Sequence, residues 1–368
     1  MKKLESIFEE LIKIPSTTGC EAMTVDYIEK YFKAIGWKTW QDTAGKVVGS
    51  SCGNLYAYYE VDPLLETVVL SAHTDTVLLE GQRVVPRKVG DKMISDGTTI
   101  LGADNRAGIT ALLGVAVVLD KKKLKNNVLL FFPVHEEAGK MGSSQFKFSG
   151  KVKYVLNVDE SMAPGNFVYS SLSHLSYKIE VKGKAAHAAK DYLKGVSAIV
   201  ASAILISKLK LGGDREMGWT MNLGIIEGGK AINIIPDYVE IRGEVRAYKQ
   251  GVLAIKLQEI RRAVVKTMGE TNTKIELKLD EGDFVQPFEG KLGGKLQEIC
   301  REGSKKLRLR AKFVRSFSSS DANSFASLGY ETISVARGGS NPHSTRESFK
   351  IGDLNMTKNL LLEILYLS

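Results

Sequence analysis

Apolar and polar residues alternate along the chain in two distinct rhythms. Residues 4–14 and 21–35 place apolar side chains at helical spacing, and Gly36 supplies a stop signal after the second run. Residues 53–61 alternate as a strand does. Thr67-Val68-Val69-Leu70-Ser71-Ala72 is instead a short apolar run, as expected of a strand buried on both faces. A helix of small and apolar residues follows over 107–119, and two more buried strands are predicted at 127–134 and 154–158. Apolar strands separated by helices predict an α/β domain, a mostly parallel sheet with helices on both faces.

Near Ser176 the rhythm changes. Tyr177-Lys178-Ile179-Glu180-Val181 alternates with a period of two, the mark of a sheet with one wet face. A helix over 196–209, strands at 219–226 and 239–245, a helix over 252–268 and a strand at 274–279 complete a β-α-β-β-α-β order, the ferredoxin-like arrangement. Beyond residue 286 the chain returns to helix, strand (311–315), helix (322–328), strand (332–335) and a closing amphipathic helix (354–367). The expected organisation is one domain built from both ends of the chain, 1–174 and 287–368, with a smaller α+β lid domain, 175–286, inserted. A length of 368 residues suits two or three domains at roughly 150 each.

Composition narrows the function classes. Apolar residues are 43% and charged residues 25% of the chain, ordinary globular usage. No apolar run approaches the roughly 18 residues of a membrane span, and Glu5, Glu9 and Glu10 interrupt any signal-like start. Three scattered cysteines, Cys20, Cys52 and Cys300, make no disulfide framework, so a cytoplasmic location and no membrane partner are expected. The net charge of +9 is concentrated at Lys121-Lys122-Lys123 with Lys125 and from Lys305 to Arg315. Apart from Phe313 between Lys312 and Arg315, no aromatic residue interleaves either run, and both read as solvated faces with no nucleic-acid partner.

Three buried strands end alike: 67–72 runs into His73-Thr74-Asp75, 127–134 into His135-Glu136-Glu137, and 154–158 into Asp159-Glu160. Ligands gather at the carboxyl ends of strands in open α/β sheets, so these side chains are expected at one sheet edge. Gly102-Ala103-Asp104-Asn105 places an acid before a helix, and Asn341-Pro342-His343 a histidine after the last strand. Crowded carboxylates repel one another and raise their pKa values, and divalent cations relieve that repulsion. Imidazole with carboxylate suits zinc, and also cobalt or manganese, at two closely spaced sites. His135-Glu136-Glu137-Ala138-Gly139 is not His-Glu-x-x-His, which excludes the single-zinc helix site. Neither a phosphate-binding Gly-x-x-x-x-Gly-Lys-Ser/Thr loop nor a Gly-x-Ser-x-Gly elbow is present.

Together, His73-Thr74-Asp75-Thr76-Val77, Gly102-Ala103-Asp104-Asn105, Glu136-Glu137-Ala138-Gly139, Asn157-Val158-Asp159 and Asn341-Pro342-His343 resemble the five metal-site motifs of the di-zinc exopeptidase family of peptidase T, aminoacylase and carboxypeptidase G. Their order and the place of the insertion match that family. The run from Ser95 to Asp104 is similar to the peptidase T-like tripeptidases. The resemblance implies that Asp104 bridges two divalent cations, His73 and Asp159 completing one site, Glu137 and His343 the other. It implies that Asp75 orients His73 and that Glu136 is the general base. It further implies a cis bond after Asp104, where Asn105 replaces the second acid of many relatives. His187, in Gly183-Lys184-Ala185-Ala186-His187-Ala188, would hold the oxyanion, while Asn233 and Arg246 would grip substrate.

The expected activity is metal-dependent hydrolysis of short peptides, releasing the N-terminal residue of tripeptides. A carboxypeptidase, dipeptidase or N-acyl-amino-acid deacylase on the same centre is the alternative, and Asp159, where many of those carry Glu, tilts toward aminopeptidases. A non-catalytic scaffold would be expected to have lost ligands or base, and here the full set stands. The family further implies a lid that moves, with hinges near 173–176 and 281–286, and a homodimer formed through it. His135 is expected to pack or hydrogen-bond at its strand end, His174 lies near the domain junction with no motif around it, and Ser318-Ser319-Ser320-Asp321 is expected to cap a helix.

Overall fold

In the computed structural model, which describes residues 2–77, 84–290 and 292–368, Thr67–Ser71 is a strand with every residue buried. It lies between the parallel strands Asn127–Phe132 and Val152–Glu160, with Leu70 opposite Leu130 and Leu156. Thr332–Ala336 extends the parallel set beside Val152–Glu160. Outside these four strands the sheet turns antiparallel. Leu55–Tyr59 and then Lys38–Gln41 flank one side, and Asn166–Ser171 the other. The parallel centre coincides with the wholly apolar runs, because strands covered on both faces have no polar side to show. Lys38–Gln41, four residues exposed at both ends, carries no such pattern and was not expected.

Alternation along each strand splits the core in two. Val68, Leu70, Val128, Leu130 and Leu156 join one cluster with Ile7, Val25, Phe32, Ile109, Ile299 and Leu361, residues of five helices. Val69, Leu129, Phe131 and Val155 join another. There Phe131 lies 4.8 Å from both Tyr56 and Phe146 and 5.8 Å edge-on from Phe325 of the helix Asp321–Ser327. Such tilted ring pairs stabilise by about 0.5–1.5 kcal/mol each beyond their area burial. The sheet is therefore covered on both faces.

The chain divides into two compact units: Met1–Ser170 with Glu289–Ser316 and Ser320–Ser368, and Ser171–Phe288 with Phe317–Ser319. The second unit starts before residue 175 and runs past 286. It also takes in Phe317, which packs edge-on against Tyr248 at 5.6 Å with the Arg215 guanidinium 5.8 Å from its ring. Its sheet is antiparallel, in the order Gly212–Asp214, Trp219–Gly228, Tyr238–Ala247, Leu175–Lys182, Lys274–Leu279. Ile179, Val181, Ile241 and Val245 bury against Ala201, Leu205, Ile260 and Val264 of the helices Ala198–Ser207 and Gln250–Thr271. The intervening residues are charged and pair along and across strands, Lys178 with Glu180 on its own strand at 3.0 Å and Lys278 with the same Glu180 across strands at 2.9 Å. This is the ferredoxin-like order. Among the described residues, no helix is long and apolar enough to cross a membrane.

Candidate metal centre

Neighbouring parallel strands deliver the candidate side chains. Thr67–Ser71 leads into His73 and Asp75, Asn127–Phe132 into Glu136 and Glu137, and Val152–Glu160 carries Asp159 at its end. The helix Ala103–Val118 opens on Asp104, where the backbone of Asp104 and Asn105 departs from helical values and the bond between them is cis. His343 follows the strand Thr332–Ala336 on a loop that holds both Asn341 (φ 54°) and His343 (φ 58°) in the left-handed region.

These segments meet at one place in the first unit. His73 Nε2 lies 3.2 Å from Asp104 Oδ1 and 3.2 Å from Asp159 Oδ1. His343 Nε2 lies 3.0 Å from Glu137 Oε1 and 3.5 Å from Asp104 Oδ2. Two triads of donor atoms result, His73/Asp104/Asp159 and Asp104/Glu137/His343, each within 4.8 Å and sharing Asp104. A third grouping of the same tightness, His73/Glu136/Glu137, brings Glu136 among the donors as well. Imidazole nitrogens and carboxylate oxygens converging in this way are the donors that zinc, cobalt and manganese accept, so the residues fit a pair of divalent cations.

The electrostatics point the same way. Burial pushes the Glu136 carboxyl well above the ordinary range and raises Glu137, with Lys140 and His343 respectively pulling against it. The Lys140 ammonium is 3.5 Å from Glu136 Oε1. Burial would raise Asp104 too, but the Arg337 guanidinium, 2.8 Å from its Oδ1, and both histidines hold it well below the usual range. Hydrogen bonds to Asp104 and Glu137 push His343 up to about 10. The Asp159 charge lifts His73 despite its burial. The carboxylates thus draw protons onto the histidines, a role that a bound cation takes over.

Around this cluster runs a supporting shell. Asp75, fully buried, accepts the backbone N–H of Glu136 and of Glu137 at 3.0 Å each and the Thr18 hydroxyl at 2.8 Å. Its Oδ1 and its carbonyl oxygen face His73 Nδ1 at 3.4 and 3.1 Å. A proton on Nδ1 leaves Nε2 with a free lone pair toward Asp104 and Asp159. Asn105 donates from Nδ2 to the Val158 carbonyl and to Asp159 Oδ1 at 2.9 and 3.0 Å, so the residue that departs from the family pattern orients a candidate ligand. Ser320 and Asn323 form a reciprocal cap at the start of Asp321–Ser327. His135, expected to pack or hydrogen-bond at its strand end, donates its backbone N–H to Glu21 at 3.1 Å, while its buried Nδ1 has no partner among the described residues.

Arg337, Lys140 and Glu347 belong to the site and were missed. Arg337 directly follows the strand Thr332–Ala336, so the strand-end argument that found the acids could have found it. Lys140 stands four residues after Glu136, its N–H donating to the Glu136 carbonyl at 2.9 Å, a local spacing that could have found it, whereas Glu347 is placed by tertiary contacts that leave no local signature.

The second unit brings two of its three candidates together. The short strands Ala186–His187 and Ile234–Ile235 pair with His187 opposite Ile234, and the Ala188 N–H donates to the Asn233 carbonyl at 3.0 Å. His187 Nδ1 accepts the backbone N–H of Ala189 and of Lys190 at 3.2 Å each, which leaves the ring proton on Nε2 as a donor. Arg246 stands apart. Its Nε and Nη2 donate to Glu244 at 3.0 and 2.9 Å, and His174 lies 3.2 Å from the same carboxylate. Arg246, expected to grip substrate, thus shares one acid with His174.

Comparisons with known proteins agree with this picture. Residues 54–208 match the model of peptidase family M28, and residues 169–272 that of the peptidase dimerisation domain. A peptidase T of a Geobacillus species is 26% identical over 385 aligned residues, covering 97% of this chain and 90% of the relative. The crystal structure of aminopeptidase PepT from Bacillus cereus superposes with a TM-score of 0.90 at 28% identity, covering 99% of this chain and 97% of that one. A tripeptidase structure from Staphylococcus aureus gives a TM-score of 0.91, with the same identity and coverage.

Proposed function

Because the chain belongs to the peptidase T, aminoacylase and carboxypeptidase G family of metallopeptidases, we propose that it is a cytoplasmic tripeptidase that releases the N-terminal residue of short peptides. The observation that carries this reading is the likeness, over 99% of the chain, to an aminopeptidase and a tripeptidase. His73 and Asp159 would hold one cation, Glu137 and His343 the other, and Asp104 both. Bound there, two divalent ions, zinc in this reading, would supply Lewis acidity that polarises the scissile carbonyl and makes water a nucleophile near neutral pH.

The chain's own residues do the rest. Glu136, whose buried carboxyl holds a proton readily, takes one from the attacking water and delivers it to the leaving amine. Lys140 holds that carboxylate in place while it is charged. His187, with its Nε2 proton, is the donor for the oxyanion. Asn233 orients the substrate, and Arg246 takes its carboxylate in exchange for Glu244. The second unit serves as lid and as the homodimer surface; the exposed Ile225 and Ile226 of the strand Trp219–Gly228 and Ile199 and Val200 on its helix support that role.

The test is a panel of di- and tripeptides with free or blocked termini, assayed with added zinc, cobalt or manganese. Cleavage that requires a free amine and yields the N-terminal residue is expected. Tolerance of a blocked amine with a strict need for a free carboxylate would replace this reading by a carboxypeptidase or deacylase.

A further inference from the structure

We propose that Glu347 is a positioning residue of the centre, one that fixes Asp104 through its backbone and ties it to the loop carrying His343. The inference rests on the reading of Asp104 and His343 as cation ligands. Glu347 lies four residues beyond His343 and is 2% exposed. Its Oε2 accepts the backbone N–H of Leu101 at 2.8 Å and of Gly102 at 2.7 Å, and its Oε1 accepts that of Asp104 at 3.1 Å. Its own N–H donates to the Ser344 carbonyl at 3.0 Å, and its carbonyl accepts the Ser95 N–H at 3.2 Å. One side chain therefore holds the Asp104 loop while its backbone belongs to the His343 loop.

The geometry explains why an acid stands there. The helix Ala103–Val118 begins after Gly102, which is left-handed (φ 74°) and offers no side-chain cap. The first N–H groups of a helix have no intrahelical acceptor, and its N-terminus favours a negative charge. The acceptor for the Asp104 N–H in the first turn, and for the Leu101 and Gly102 N–H groups just before the helix, comes instead from more than two hundred positions away. Three N–H groups converge on two carboxylate oxygens. A glutamine would keep one oxygen and turn its amide donors against at least one N–H. Asp104 would then be free to shift, and ligand geometry tolerates only about 0.5 Å of such movement.

The experiment is a titration of metal-free protein with cobalt(II), read by absorbance with zinc competition, on the wild type, Glu347→Gln and Leu129→Ala. Leu129→Ala destabilises the same unit from its core, away from the centre. Expected is a tenfold to hundredfold loss of cobalt affinity in Glu347→Gln and wild-type affinity in Leu129→Ala. Equal affinities of Glu347→Gln and the wild type would overturn the proposal, as would an equal loss in both variants. A wild type that takes up no cobalt would overturn the reading beneath it, and the proposal with it. Should Glu347→Gln fail to fold, amide hydrogen exchange of the metal-free wild type decides. The Leu101, Gly102 and Asp104 amides are expected to be protected, and free exchange at all three would overturn the proposal.

Discussion

Asp75→Asn removes one charge and changes one atom, yet the structure assigns it a large effect. The carboxylate accepts three hydrogen bonds, from the N–H groups of Glu136 and Glu137 and from Thr18, while facing His73 Nδ1. Burial would raise its pKa, but the His73 imidazole first, and then the backbone N–H groups of Glu136 and Glu137, hold it below the ordinary carboxylate value. In the asparagine variant, an amide nitrogen at Oδ2 would oppose the Glu137 N–H. Placed at Oδ1, it would oppose the Glu136 N–H and invite His73 to accept at Nδ1, moving the ring proton to Nε2. Either orientation leaves a buried N–H unpaired, about 1–3 kcal/mol, and loses the added strength of a charged acceptor. The expected cost is about 2–4 kcal/mol of folding stability, with cation affinity lower by about tenfold to hundredfold. Urea unfolding of the metal-free protein and a chelator-competition titration measure the two effects. Thr18→Val, which deletes a single hydrogen bond, should cost about 1 kcal/mol and leave cation binding intact. If Asp75→Asn matched the wild type within about 0.5 kcal/mol and bound cations equally well, the orienting role would be refuted.

Other outcomes follow from the same geometry. Glu136→Ala should keep its cation content by elemental analysis while turnover falls by about two to four orders of magnitude; near-wild-type rates would remove it as the base. Glu244 is held down to about 2, by the hydrogen bonds from His174 and then Arg246. A lowered carboxylate pKa contributes stability above the unfolded value near 4.3 that is lost as pH falls through 2. Urea midpoints of Glu244→Gln should therefore depend less on pH between 5 and 2 than those of the wild type. Burial pushes the Cys52 thiol up to about 12 and raises Cys300 further, whereas Cys20 is exposed. A thiol reagent at pH 8 should thus titrate Cys20 quickly and Cys300 only on unfolding.

Much of the centre was legible because its acids and histidines stand where wholly apolar strands stop. Val69 and Leu130 announce a buried strand, and the polar residues just past such strands have little to do but meet a ligand. The ferredoxin-like unit was legible for a related reason, since Ile179 and Val181 alternate with Lys178 and Glu180. Other features left no trace. Lys38–Gln41 and Asn166–Ser171 join the sheet at its antiparallel flanks, where pairing is set by tertiary contact and not by composition. The Glu347 side chain looks like any surface acid until Leu101 and Gly102 fold onto it. Arg246 looked free to meet a substrate, but Glu244, two residues earlier on the same strand face, reaches it first.

The central claim is that five separated segments hold two cations about one shared aspartate. Crystals soaked in zinc or manganese, with anomalous difference maps collected at the metal edge, test it most directly. The account predicts two peaks about 3.5–4 Å apart, one against His73 and Asp159, the other against Glu137 and His343, with Asp104 between them. A single peak, or peaks that leave Asp104 out of contact, would contradict it.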